Sequence, residues 1–237
     1  MGHRRGKLRR VRAILFDVGD TLFRLGPMDE PTMKRRLSSA VGHRTGMPAA
    51  DAAATAEGAY RAVIAAIREG YRTHATAEPS IAGLAAPLFS KFGPAGGDLA
   101  EDFDRIFGEA DTARWIPTPE REAHLAGFAA AGLELAFVSN TLTAPALMRA
   151  RLTEFGLLHH PKVHVFSVAV GERKPSPAIY RAALDGLGIG PGDALFVGDR
   201  VREDVLGPQA LGIRGVDRKS TRLNSSHVSE SRMPSSA

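Results

Sequence analysis

Asp17-Val18-Gly19-Asp20-Thr21-Leu22 follows the apolar run Ala13-Ile14-Leu15-Phe16, so a carboxylate falls just past the end of a buried strand. Open α/β sheets gather their ligands at such points. Three later segments carry further reactive groups. Leu133 to Thr141 is an apolar strand pattern that ends in Ser139-Asn140, a hydroxyl followed by an amide. Glu172-Arg173-Lys174-Pro175-Ser176-Pro177 places a lysine directly before a helix start, with Ser176 as N-cap and Pro177 at the first helical position. Ala194-Leu195-Phe196-Val197-Gly198-Asp199 ends a strand in a second carboxylate, and Asp204 adds a third five residues on. Carboxylates supply nucleophiles and hard oxygen ligands, and lysine supplies positive charge. Taken singly, each segment also reads as a turn, a cap or a solvated charge.

The elements that must position these groups are legible from periodicity. Short apolar strands near residues 13–17, 134–138, 163–168, 194–197 and 213–216 alternate with helix-length segments. That alternation predicts an α/β fold, a Rossmann-like parallel sheet with helices on both faces. Helices are expected over 119–131, 144–155 and 178–187, each followed by a terminating glycine: Gly132, Gly156 and Gly188. Between the first two reactive segments the character changes to Ala-rich helical stretches. Tyr60, Val63, Ile64 and Ile67 recur at helical spacing, as do Phe103, Ile106 and Phe107, and these stripes read as the core of a small helical bundle.

Taken together and in order, the four segments resemble the haloacid dehalogenase-like hydrolase superfamily, over Asp17 to Asp204. The resemblance implies a core domain of residues 13–26 and 117–216 and a helical cap of residues 27–116, inserted after the first motif. Gly26-Pro27 and Trp115 to Pro119 are the two expected crossings, and such caps close over the site, exclude water and set substrate choice. It further implies a Mg²⁺-dependent phosphatase acting on a small phosphorylated substrate. Asp17 would attack phosphorus to form an aspartyl-phosphate. Lys174 would neutralise charge between nucleophile and phosphate. Ser139, with backbone amides around Gly19, Asp20 and Asn140, would bind the phosphoryl oxygens. Mg²⁺ would be held by Asp17, the Gly19 carbonyl, Asp199 and, directly or through water, Asp204.

One position departs from that pattern. Where the family's phosphatases keep a second aspartate to protonate the leaving group and activate water, this chain has Gly19. General acid-base help is worth about 10² to 10⁴ in rate, so slow turnover of poor leaving groups is expected. Asp20 is a candidate substitute, or simply a turn carboxylate. Two other readings stay open: a phospholigand-binding member with little or no activity, and a dehalogenase-type enzyme in which Asp17 displaces halide. That branch dispenses with the metal, but it lacks the paired acids present here as Asp199 and Asp204.

Composition bounds these readings. The 237 residues suffice for one α/β domain with an inserted cap. The chain has no cysteine, which excludes disulfides and thiol nucleophiles and is compatible with a reducing compartment. No apolar run approaches the roughly 20 residues that span a bilayer, and no signal-like segment opens the chain, so a cytoplasmic protein is expected. The net charge is +5, but residues 1–12 contribute six positive charges and residues 217–237 a net two. What remains for residues 13–216 is −3. The basic leader therefore gives no nucleic-acid reading for the folded part, and no membrane partner is expected. Residues 217–237 are Ser-rich and aperiodic and read as a tail foreign to the fold. His159, His160 and His164 lack zinc-site spacing and read as loop and strand-edge residues. Polar cap residues such as Lys34, Arg72 and His74 are candidates for substrate contact.

Overall fold

The computed structural model describes residues 11–219. Residues 1–10 of the expected leader and 220–237 of the expected tail lie outside the described residues. In chain order come β1 (Ala13–Phe16), β2 (Phe23–Leu25), α1 (Glu30–Thr45), α2 (Ala49–Arg72), α3 (Ile81–Phe89), α4 (Pro94–Ala113) and β3 (Trp115–Pro117). Then follow α5 (Glu120–Ala130), β4 (Glu134–Ser139), α6 (Pro145–Glu154), β5 (Val163–Phe166), α7 (Ser167–Val170), α8 (Pro177–Leu187), β6 (Ala194–Gly198) and β7 (Arg214–Asp217).

Five strands form a parallel sheet in the order β5-β4-β1-β6-β7. β1 lies at its centre because all four of its residues are apolar and buried, as a strand covered on both faces requires. Its side chains alternate between two packed layers. Ile14 and Phe16 join Leu125 of α5 and Met148 and Leu152 of α6, whereas Ala13 and Leu15 join Ile179, Tyr180 and Ala183 of α8. Helices therefore cover both faces, as expected from the sequence. Chain order reverses on either side of β1, and the carboxyl ends of β1, β4 and β6 meet there.

Three boundaries differ from expectation. The strand expected to run to residue 168 stops at Phe166, because Ser167 turns inward to bond Glu78 and Thr141, and a left-handed Gly171 (φ 78°) then redirects the chain. Residue 217, where the tail is expected to begin, still belongs to the sheet. Asp217 closes β7 opposite Gly198, and the Arg218 amide donates to the Gly198 carbonyl at 2.7 Å. At the other end, the Arg12 amide donates to the Asp193 carbonyl at 2.7 Å, so the last residue of the expected leader already joins the sheet.

Helices α1 to α4 form a separate bundle. Met33, Leu37, Tyr60, Val63, Phe103 and Phe107 are buried in its core, where Ile64 and Ile67 pack at the margin of the expected stripe. Asp29 and Ser80 cap α1 and α3 by accepting the amides of Thr32 and Gly83. The bundle joins the sheet domain beside the two expected crossings, which pair as an antiparallel ribbon of β2 and β3. Phe23 and Trp115 stack there with ring centroids 3.9 Å apart, and Phe155 meets both edge-on. A second connection is a strap: Ala77 bridges to Glu172, and the amides of Arg173 and Glu78 donate to the carbonyls of Thr76 and Gly171 at 2.7 and 2.9 Å.

Candidate active site

Asp17, Asp199 and Asp204 come together from two neighbouring strand ends. Each offers a carboxylate oxygen, and these oxygens lie within 4.8 Å of one another. Lys174 reaches this cluster from the start of α8, with Nζ 2.7 Å from Asp17 Oδ1 and 2.8 Å from Asp204 Oδ1. Its side chain is only 2% exposed. One cation thus lies between two buried anions, the arrangement that makes such burial tolerable.

Each member of the cluster is held. Thr21 Oγ1 donates to Asp17 Oδ2 at 3.0 Å, which fixes the carboxylate plane. Asp204 Oδ2 accepts the backbone amides of Asp199 and Arg200 at 3.0 and 2.9 Å, so this fully buried acid also shapes the loop that presents Asp199. The approach requires a glycine at 198, since a Cβ there would lie 2.3 Å from the Asp204 carboxylate. Asp199 itself accepts from Lys219 Nζ at 2.6 Å. Asn140 holds Lys174 by its backbone, with Oδ1 accepting its amide at 2.7 Å and Nδ2 donating to its carbonyl at 3.2 Å. The Asn140 side chain is therefore a positioning group for the lysine.

Burial, then the charge of Asp204, push the Asp17 carboxyl above the ordinary aspartate value, against the opposing pull of Lys174. Burial works against the charge on Lys174, but Asp17 and Asp204 outweigh it and hold its pKa above the ordinary lysine value.

A cavity of about 190 Å³ opens between this end of the sheet and the helical bundle. Gly19, Ser139 and Asn140 line its floor, and Met28, Tyr71 and Phe107 of the bundle line its roof. Ser139 is 4% exposed where it lines the cavity floor. Asp20 is placed elsewhere. It adopts a left-handed backbone (φ 55°), and its carboxylate caps the following turn by accepting the Leu25 amide at 3.0 Å. The turn reading of Asp20 is the one its contacts match.

The structure thus gathers Asp17, Gly19, Ser139, Asn140, Lys174, Asp199 and Asp204 around one end of the sheet. Lys34, Arg72 and His74 do not line the cavity. Lys34 pairs with Glu57 and Glu30 on the bundle surface, Arg72 with Glu69, and the His74 ring with Arg202. The cavity is lined instead by Tyr71, Phe107, Leu142 and Arg200. Of these only Arg200 had a signal, as the residue following Asp199; the others depend on how the bundle docks.

A protein-family model described as haloacid dehalogenase-like hydrolase matches residues 11–212, and this chain belongs to that family of hydrolases. Phosphoserine phosphatase of Thermus thermophilus is 39% identical over 119 residues, which is 50% of this chain and 45% of that enzyme. The chain thus spans less than half the length of that relative. Among solved structures, 2-haloacid dehalogenase from Pseudomonas syringae superposes with a TM-score of 0.59 at 19% identity, over 90% of this chain and 91% of the other. A phosphatase of the same family from Thermococcus onnurineus gives 0.55 at 21% identity, over 90% and 89%. At such identities these structures establish the shared fold. No helix among the described residues is long and apolar enough to cross a membrane.

Proposed function

We propose that the protein is a phosphatase of small phosphorylated compounds, working through an aspartyl-phosphate on Asp17. The observation that carries this reading is Lys174 bridging Asp17 and Asp204 at the end of the sheet where Ser139 lines the cavity. A phosphate dianion is repelled by a bare carboxylate, and Lys174 offsets that repulsion at the attacking atom. Asp17 attacks phosphorus; the new Oδ–P bond forms as the bond to the leaving oxygen breaks. Ser139 and the backbone amides of the 19–20 and 140 turns hold the remaining phosphoryl oxygens. Water then attacks phosphorus and returns Asp17 as a carboxylate. With Gly19 in place of an acid, the leaving oxygen takes its proton from solvent, so activated esters turn over best.

Three clustered carboxylates form an all-oxygen donor set that fits a hard divalent cation. Mg²⁺ would be held there by Asp17, Asp199, the Gly19 carbonyl and Asp204, and when bound it supplies further charge neutralisation at the phosphoryl group. The small, partly apolar cavity supports a compact substrate. The phosphatase identity of the Thermus relative also supports this reading.

Phosphate release from p-nitrophenyl phosphate, with and without Mg²⁺, tests the proposal. Metal-dependent turnover in the wild type that Asp17→Asn abolishes is the expected result. Turnover equal to that of the mutant in a folded protein would overturn it.

A further inference from the structure

Outside the catalytic cluster, α5 and the loop between α6 and β5 bring three other donor groups together. Glu122, in the first turn of α5, offers a carboxylate oxygen, and His159 and His160 each offer a ring nitrogen. All three donor atoms lie within 4.8 Å of one another. Gly156 ends the helical run before this loop in a left-handed conformation (φ 69°), so close to α5 that a Cβ there would lie 3.7 Å from Glu122 Cγ. That turn folds the chain back and sets both histidines against the glutamate.

Two features separate this group from an incidental surface cluster. The His160 side chain is only 8% exposed, and its Nε2 is buried without a hydrogen-bond partner among the described residues. A buried polar nitrogen left unpaired is costly and calls for a partner. The nearest candidate, Glu122 Oε1, is 3.6 Å away, beyond hydrogen-bond reach. The two imidazole rings also lie close together, tilted by 38° with centroids 4.0 Å apart, so neighbouring residues bring both rings to one place.

We propose that Glu122, His159 and His160 bind a divalent transition-metal ion of the zinc class, which ties α5 to the loop between α6 and β5. Two imidazoles and one carboxylate are a donor set that suits Zn²⁺, whereas Mg²⁺ prefers oxygen ligands alone. Zinc takes nitrogen and carboxylate oxygen at about 2.0–2.2 Å, so donors that now lie within 4.8 Å of one another draw closer to share one ion. Glu122 and His159 are exposed and can rotate to do so, while His160 is the fixed anchor. Three protein ligands leave a fourth position for water. This site shares no residue with the cluster around Asp17.

The full chain is titrated with Co²⁺, a spectroscopic substitute for Zn²⁺. The wild type is expected to develop a visible absorption band of low-coordinate cobalt, which Zn²⁺ bleaches by displacement. His160→Ala is expected to lose the band, and Glu122→Gln to weaken Co²⁺ binding by about tenfold or more. Because Glu122 is exposed, its variant keeps the test valid even where His160→Ala fails to fold. Asp199→Asn, in the other cluster, is expected to retain the band. Absence of a band in the wild type, an undiminished band in Glu122→Gln, or loss of the band in Asp199→Asn would each overturn the proposal.

Discussion

Arg173 and Lys174 are adjacent in sequence, both buried and both paired with acids, yet they serve opposite sides of the same segment. Lys174 turns toward the sheet and bridges Asp17 and Asp204 at 2.7 and 2.8 Å. Arg173 turns toward the bundle. Its Nε donates to the Ala75 carbonyl at 2.8 Å, its guanidinium packs on the Tyr71 ring, and its Nη1 stands 3.6 Å from Glu78 Oε1. The Lys174 contacts are short hydrogen bonds, as the proposed nucleophile Asp17 requires if it is to be held in one geometry. In the Arg173 pair, Glu78 Oε2 accepts from Ser167 at 2.8 Å, but Oε1 has no hydrogen-bond partner. The Arg173–Glu78 ion pair is thus looser than the Lys174 contacts, although backbone bonds of the same strap are short. The two neighbouring cations therefore differ in how tightly their acids hold them.

Substitutions can break that comparison from either side. Asp17→Asn should have the largest effect, lowering phosphate release by about three orders of magnitude or more while the fold survives, as single-turnover kinetics and a melting curve would show. Lys174→Ala should come next. It leaves two buried carboxylates facing each other, and denaturant titration should show a loss of about 3–5 kcal/mol. Gly19→Asp should sharpen the picture by restoring an acid. A Cβ there meets only Leu25 Cδ1, at an ordinary 3.5 Å, and the position faces the cavity. The substitution should raise turnover of alkyl phosphates by about 10² or more and leave p-nitrophenyl phosphate far less affected.

Arg173→Ala should be milder, at about 1.5–3 kcal/mol, because Glu78 keeps its bond from Ser167. The smallest effect is a pH slope. Burial raises the Glu78 carboxyl above the ordinary glutamate value, outweighing the lowering by Ser167 and Arg173. A raised native pKa means the folded state binds the proton more tightly, so this contribution is complete below the unfolded value and is lost as pH rises through the folded one. Wild-type stability relative to Glu78→Gln should therefore fall across that window, and paired denaturation curves at several pH values would reveal a flat difference if the contact does not titrate.

Much of the fold was legible in the sequence because its strands are buried on both faces and so read as unbroken apolar runs. Ala13 to Phe16 and Leu135 to Val138 announce themselves by composition alone. The carboxylates, lysine and serine of the site were legible for a related reason: each stands where a strand ends or a helix starts, and a parallel sheet brings such ends together. Less legible was the strand end at Phe166. The apolar pattern continues to residue 168, and only the bonds of Ser167 to Glu78 and Thr141 stop it. The β2–β3 ribbon was missed because three-residue strands carry almost no periodic signal.

The sequence by itself determined the order of the sheet strands and their helices, the residues that cluster at the sheet's carboxyl end and the absence of an acid at Gly19, since these follow from local pattern and residue chemistry. Tertiary structure alone decided that Asn140 holds Lys174 rather than reaching outward, that Asp20 caps a turn, and that Tyr71 and Phe107 roof the cavity. It also decided that Glu122 meets His159 and His160 across a gap in sequence that no local motif spans. Side-chain direction and long-range proximity are set by how packed layers dock, and the docking of two layers is not written in the period of either one.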